Sequence, residues 1–164
     1  MLGVIFLGML LLGPCLHAQT APLPATAAES LTGQKMQFPS ALKGMPAVCV
    51  FSFSREATEK TRAWMTPLNQ DGINVWSVVE LEAAPAMVHG MIRSSMRKST
   101  PPALQAHSLI LTKDDKAWKR ALAMKDDKLP VVMVLDTAGR VVWTHEGLYS
   151  GEAYEELKTK LTER

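Results

Sequence analysis

Leu129-Pro-Val-Val-Met-Val-Leu135, then Asp136-Thr-Ala-Gly139, then Arg140-Val-Val-Trp143 is the stretch whose reading decides the fold. Two runs of apolar and β-branched residues, 131–135 and 140–143, flank a four-residue turn signal. Such side chains favour a pleated, half-buried surface. Gly139 supplies the positive φ that a short hairpin turn requires. Pro130 has no N–H to give to a ladder, so it belongs at or just before the first position of its strand. A β-hairpin is therefore predicted over 131–143.

Working outward, the 164 residues suffice for one domain with its own core, and 47% hydrophobic with 21% charged residues is an ordinary globular composition. A formal charge of +2 on 18 basic and 16 acidic residues is too balanced for nucleic acid or a polybasic membrane contact. The small basic clusters Arg93/Arg97/Lys98 and Lys116/Lys119/Arg120 read as helix flanks. Residues 2–16 are apolar and uncharged, shorter than a typical membrane span, and end at Leu16-His-Ala18. Residues 1–18 read as a signal peptide cleaved after Ala18, so the protein is expected to be exported, to the periplasm or outside the cell. The lack of Lys or Arg before this run leaves an uncleaved anchor as the alternative, and with it a membrane contact through this segment. Leu12-Gly-Pro-Cys15 approaches a lipoprotein box, but Pro14 stands where a small residue normally precedes the cysteine.

Once Cys15 has left with the signal, Cys49 is the one remaining thiol, so no internal disulfide is possible. Residues 19–30, rich in Ala, Pro and Thr, read as a linker, and 31–164 as the folded domain. Residues 33–38 alternate as a short strand or hairpin arm. Ala47-Val-Cys-Val-Phe51 is a continuous apolar run, as in a strand buried on both faces. Ser54 is placed to cap a helix over 55–69, with Ala57, Thr61, Trp64 and Leu68 on its inner face and Pro67 to kink or end it. Further strands are expected over 73–81 and 108–112. Helices are expected from Pro85 up to Pro101, over 115–124, and after Ser150. The first of these has an apolar face of Val88, Met91/Ile92 and Ser95/Met96. The order β-α-β-α-β-α-β-β-α gives an α/β fold, a central mixed sheet with helices on both faces.

Three features together, a buried strand running into a helix, a proline before a core strand, and a hairpin leading to a C-terminal helix, resemble the thioredoxin-like superfamily. The likeness spans residues 33–163 and is greatest to the exported thioredoxin-like and peroxiredoxin-like branches. The lead-in Gly33…Phe38-Pro-Ser-Ala-Leu42-Lys-Gly44 is similar to theirs, as is Leu129-Pro130 through Arg140. The resemblance implies a cis peptide at Leu129-Pro130, beside which backbone pairs with an extended partner chain. A second similarity, to mitochondrial ATP synthase assembly factors, rests on Met87-Val-His-Gly-Met-Ile-Arg93, Met96-Arg-Lys98, the hairpin and Gly147.

The departure is at the strand–helix junction, where that superfamily carries Cys-x-x-Cys or a peroxidatic cysteine. Here it reads Phe51-Ser-Phe-Ser-Arg-Glu-Ala57. A helix N-terminus brings a thiol's pKa toward neutrality, whereas a serine hydroxyl needs an adjacent base, and no histidine lies within ten residues of Ser54. The expectation is a redox-inactive binding or assembly protein of the cell envelope, without catalytic residues, cofactor or metal. It would grip an envelope protein or peptide segment through Ser54, Arg55, Glu56, Leu129 and Pro130. The rival is a single-cysteine thiol peroxidase or oxidoreductase using Cys49, although its place inside Val48-Cys-Val50 reads as a small buried hydrophobe. His89, His107 and His145 lack metal-ligand spacing. Trp64, Trp76, Trp118 and Trp143 read as core or interface aromatics. Met87, Met91 and Met96 read as core, with an adaptable binding face as the alternative.

Overall fold

The computed structural model describes residues 22–162. The expected signal peptide and the Cys15 motif lie outside the described residues. Strands β1 (Thr26–Ser30), β2 (Lys35–Phe38), β3 (Ala47–Ser52), β4 (Val75–Glu80), β5 (Ser108–Leu111), β6 (Val131–Leu135) and β7 (Val141–Glu146) form one sheet in the order β2-β1-β5-β4-β3-β6-β7. Helices α1 (Arg55–Gln70), α2 (Ala86–Ser99), α3 (Asp115–Ala121) and α4 (Gly151–Thr162) connect and close it. β3, β4 and β5 run parallel, while β6 pairs antiparallel to β3 and β1 antiparallel to β5. This is the mixed sheet the sequence predicts. Gly139 turns the β6–β7 hairpin at φ 78°, as its position requires.

Alternation along the central strands divides the core into two faces. Val48 and Val50 of β3 with Val132 and Val134 of β6 pack under Trp64 and Leu68 of α1 and Leu157 of α4. Cys49 and Phe51, with Val131, Met133 and Leu135, point the other way into a cluster holding Trp118 of α3 and Phe38. α2 lies over the same face as α1, where Ile92 and Met96 rest against Leu31, Val79, Leu81 and Ile110.

Three expectations are corrected. The linker ends before residue 26: β1 occupies Thr26–Ser30, paired with both β2 and β5. Its Ala-rich composition hides a strand whose inward residues Thr26, Ala28 and Ser30 are small; Ala28 packs in the cluster of Phe38 and Trp118, and the Thr26 hydroxyl accepts from the Trp118 indole N–H at 3.0 Å. Helix α1 runs three residues past Pro67, to Gln70. The cis peptide among the described residues is Phe38–Pro39, and Leu129–Pro130 is not cis. The backbone at Pro130 is instead built into the sheet, its carbonyl accepting from the Gly147 N–H at 3.0 Å.

Candidate functional site

The strand–helix junction is the natural place to look first, because the end of β3 delivers Phe53 and Ser54 onto the N-terminus of α1. Ser54 has extended backbone (φ −148°, ψ 165°) and its Oγ accepts from the Ala57 N–H at 3.1 Å, the cap that its residue type predicts. The same Oγ donates to the Asp127 carbonyl at 2.7 Å. Both capacities of the hydroxyl are therefore used in joining α1 to the loop before β6, with no base beside it to generate a nucleophile.

That loop is tied down along its length. Lys60 donates to the Lys128 carbonyl at 3.0 Å and to Glu56 at 2.7 Å. The Lys60 ammonium is what holds the exposed Glu56 carboxyl below its ordinary range. The Glu146 carboxylate accepts from the backbone N–H of Lys125 (2.9 Å) and Asp126 (2.5 Å), and the Leu129 N–H turns back to the Asp126 carbonyl at 3.2 Å. Thus Ser54, Glu56 and the 125–130 loop do meet, as the sequence reading expects. The backbone carbonyls of Asp127, Lys128 and Pro130, which a partner strand would use, already accept internal bonds. Pro130 is itself buried.

Cys49 lies in the middle of β3, 0% exposed, between Trp76 of β4 and Met133 of β6. Burial in apolar surroundings pushes its thiol far above the usual range, so thiolate does not form near neutrality. The histidines are likewise occupied: His89 Nε2 lies 2.9 and 2.8 Å from the carbonyls of Leu81 and Ala84, His107 stacks on Trp76, and His145 stacks on Trp143. No group of three or more His, Cys, Asp or Glu fit to hold a metal ion occurs among the described residues.

What the junction does open onto is a groove between α1 and α2, about 940 Å³ in volume. Phe53, Val79, Leu81, Met91, Ile92 and Met96 give it apolar walls, and Ser54, Arg55, Thr58 and Glu59 line its α1 side. This volume falls in the upper part of the range of ordinary ligand sites, roughly 300–1,000 Å³. α2 has no fully buried residue, and of the three methionines expected in the core Met96 packs against it, whereas Met87 and Met91 are turned outward, 88% and 68% exposed. The reason is the narrow contact stripe: only Ile92 and Met96 reach the sheet, while Arg93 pairs with Glu29 and Arg97 donates to the Leu31 carbonyl at 2.9 Å.

Glu80, the last residue of β4 and 4% exposed, is among the residues at the border of the groove. Its Oε1 accepts from the Glu82 N–H at 2.7 Å. Desolvation, reinforced by the neighbouring Asp115 and Glu82 carboxylates, pushes its carboxyl up to about 7. The sequence reading passed over this residue. Its signal was there, a carboxylate closing the apolar run Val78-Val-Glu-Leu81.

The architecture is that of a thioredoxin-like fold, and solved structures agree. The pneumococcal exposed lipoprotein thioredoxin Etrx1 from Streptococcus pneumoniae superposes with TM-score 0.56 at 15% identity, over 81% of this chain and 97% of that one. A thio-disulfide isomerase from Thermus thermophilus gives 0.57 at 19% identity, over 87% and 96%. BsSco, a member of the Sco family of cytochrome c oxidase assembly proteins, gives 0.56 at 12% identity, over 88% and 98%. No family model and no curated protein matches the chain.

Proposed function

We propose that this protein is a redox-inactive thioredoxin-like binding protein of the cell envelope, which holds an apolar segment of a partner chain in the groove between α1 and α2. The observation that carries the reading is the contrast at the end of β3. The position suited to a reactive thiol holds Ser54, spent as a helix cap and loop tie, while the adjoining groove is open and apolar. Methionine walls suit a polypeptide ligand, since unbranched thioethers repack around varied side chains. The polar strip of Ser54, Arg55, Thr58 and Glu59 along one wall would meet the segment's backbone and orient it. Leu129 and Pro130 then act as support for the α1 terminus rather than as the gripping edge, because their neighbourhood spends its hydrogen bonds internally. The internally bonded carbonyls of Asp127, Lys128 and Pro130 and the buried Cys49 weigh against the two other uses of the fold, strand addition at the proline loop and thiol catalysis. Export rests on the apolar residues 2–16. No described helix is long and apolar enough to cross a membrane.

The test is a photo-crosslinking residue placed in turn at Arg55, Met91 and Glu152, the last on α4 away from the groove. Arg55 and Met91 are expected to capture the same short segment of one partner, and Glu152 not to. Equal labelling from all three sites contradicts the reading. The thiol alternative is tested alongside by peroxide treatment of the folded chain, where Cys49 is expected to stay unmodified.

A further inference from the structure

Glu80 borders the groove, but strand alternation sets its side chain with Val78 on the α3 face of the sheet, where Val78 packs in the cluster of Trp118. Across the ladder Glu80 pairs with Leu111, the last residue of β5, four residues before Asp115 at the start of α3. Two bonds link these positions. Glu80 Oε1 accepts from the Glu82 N–H at 2.7 Å, and Glu82 Oε2 accepts from the Asp115 N–H at 2.7 Å. One oxygen on each side is left over: Glu80 Oε2 and Asp115 Oδ1 are both buried with no hydrogen-bond partner. Glu80 is also the one charged residue type among the buried side chains described.

A buried carboxylate oxygen without a partner is costly, and buried charges are ordinarily paired or bound to a metal ion. The donors nearby are spent elsewhere. The Thr26 hydroxyl donates to Asp114 at 2.6 Å, the Trp118 indole N–H donates to Thr26 at 3.0 Å, and His89 is held by the carbonyls of Leu81 and Ala84. The Lys119 ammonium lies 3.0 Å from Asp115 Oδ1 but makes no hydrogen bond to it, and it has a second resting place 5.6 Å from the centre of the Phe53 ring. The two carboxylates stand at the C-terminal ends of adjacent parallel strands, the edge at which open α/β sheets take up ligands. Asp115, with its side chain 15% exposed, and the exposed Glu82 connect the pair to solvent.

We propose that Glu80 and Asp115 hold one hard divalent cation, Mg2+ or Ca2+, which ties the start of α3 to the ends of β4 and β5. Each carboxylate supplies the oxygen that the fold leaves unpartnered. Water fills the rest of the shell, as is usual where one or two carboxylates bind Mg2+. Carboxylate and water are also the donors that Mg2+ and Ca2+ take in preference to softer metals. Lys119 then leaves Asp115 for the Phe53 ring. In the cation-free chain a proton on Glu80 relieves the repulsion from Asp115, so ion and proton are alternative occupants. The site lies across the sheet from the α1–α2 groove and is independent of what that groove binds.

The test unfolds the full chain by heat at about pH 8, first with a chelator and then with about 5 mM Mg2+ or about 5 mM Ca2+. The favoured ion is expected to raise the midpoint by about 5 °C, and the two arms show which ion that is. Glu80→Gln and Asp115→Asn should lose the rise, while Glu152→Gln, on α4, should keep it. Lys119→Met, which removes the competing ammonium, should tighten binding several-fold. Tb3+ added as a luminescent probe should be sensitised by Trp118, three residues along α3 from Asp115, and Glu80→Gln should abolish that emission. No rise with either ion, or a rise that survives Glu80→Gln, overturns the site.

Discussion

α1 and α2 are helices of similar length laid over the same face of one sheet, and they are used in opposite ways. α1 buries Ala57, Thr61, Trp64 and Leu68 and caps itself with Ser54. α2 has no fully buried residue, resting on Ile92 and Met96 alone, has no side-chain cap, and shows Met87 and Met91 to solvent. A helix that contributes so little core burial is poorly explained by stability alone, since packing of an apolar face is what ordinarily holds a helix in place. The difference assigns structure to α1 and surface chemistry to α2, with the groove between them belonging to both.

The largest expected effect that would break this contrast is on stability. Trp64→Ala should cost about 3–5 kcal/mol, the usual range for truncating a buried Trp, and Met91→Ala should stay within about 0.5 kcal/mol, both read from urea unfolding. Comparable losses from the two substitutions would put α2 back into the core.

Next in size is the pH dependence of folding. Glu80 has its native value raised to about 7 from an ordinary value of 4.5. The folded chain therefore holds this proton more firmly than the unfolded chain. The contribution is complete below the unfolded value and is lost as pH climbs through the folded one, by about 3 kcal/mol across that window. Glu80→Gln should flatten the profile. An unchanged slope would show that the carboxyl is not protonated in the native state.

The fold was legible in the sequence wherever pattern is local. The hairpin signal at 129–143, the spacing Ala57/Thr61/Trp64/Leu68 and the cap at Ser54 each depend on neighbours in the chain, and each appears where expected. β1 was hidden because its inward residues are small, chosen to fit beneath aromatics from residues far along the chain. Of the expected site, Ser54, Arg55 and Glu56 lie together at the start of α1, and the loop before β6 is bonded to Ser54 and, through its Lys128 carbonyl, to Lys60. The groove itself could not be read in advance. It exists because α2 is held by Ile92, Met96, Arg93 and Arg97 while Met87 and Met91 face outward, a fact of tertiary placement that helical spacing does not encode.

Smaller effects sharpen the account at the junction. Ser54→Ala should cost about 1 kcal/mol through loss of the cap. Ser54→Cys should create a thiol that iodoacetamide alkylates readily near neutral pH, because it sits at a helix N-terminus, while Cys49 in the same folded chain stays unmodified. Rapid alkylation of Cys49 would reverse the assignment of these two positions. The smallest change expected is from Met87→Ser, which should leave unfolding within about 0.5 kcal/mol of wild type.

The central claim, that the partner lies against α2 and not against the proline loop, has a built-in reporter. Met91 and Met96 line the groove, Met124 borders the 125–130 loop, and Met133 is buried in β6. Methyl spectra recorded while titrating the segment captured at Arg55 or Met91 should move Met91 and Met96 and leave Met124 and Met133 in place. Movement of Met124 with Met91 and Met96 unchanged would contradict the account.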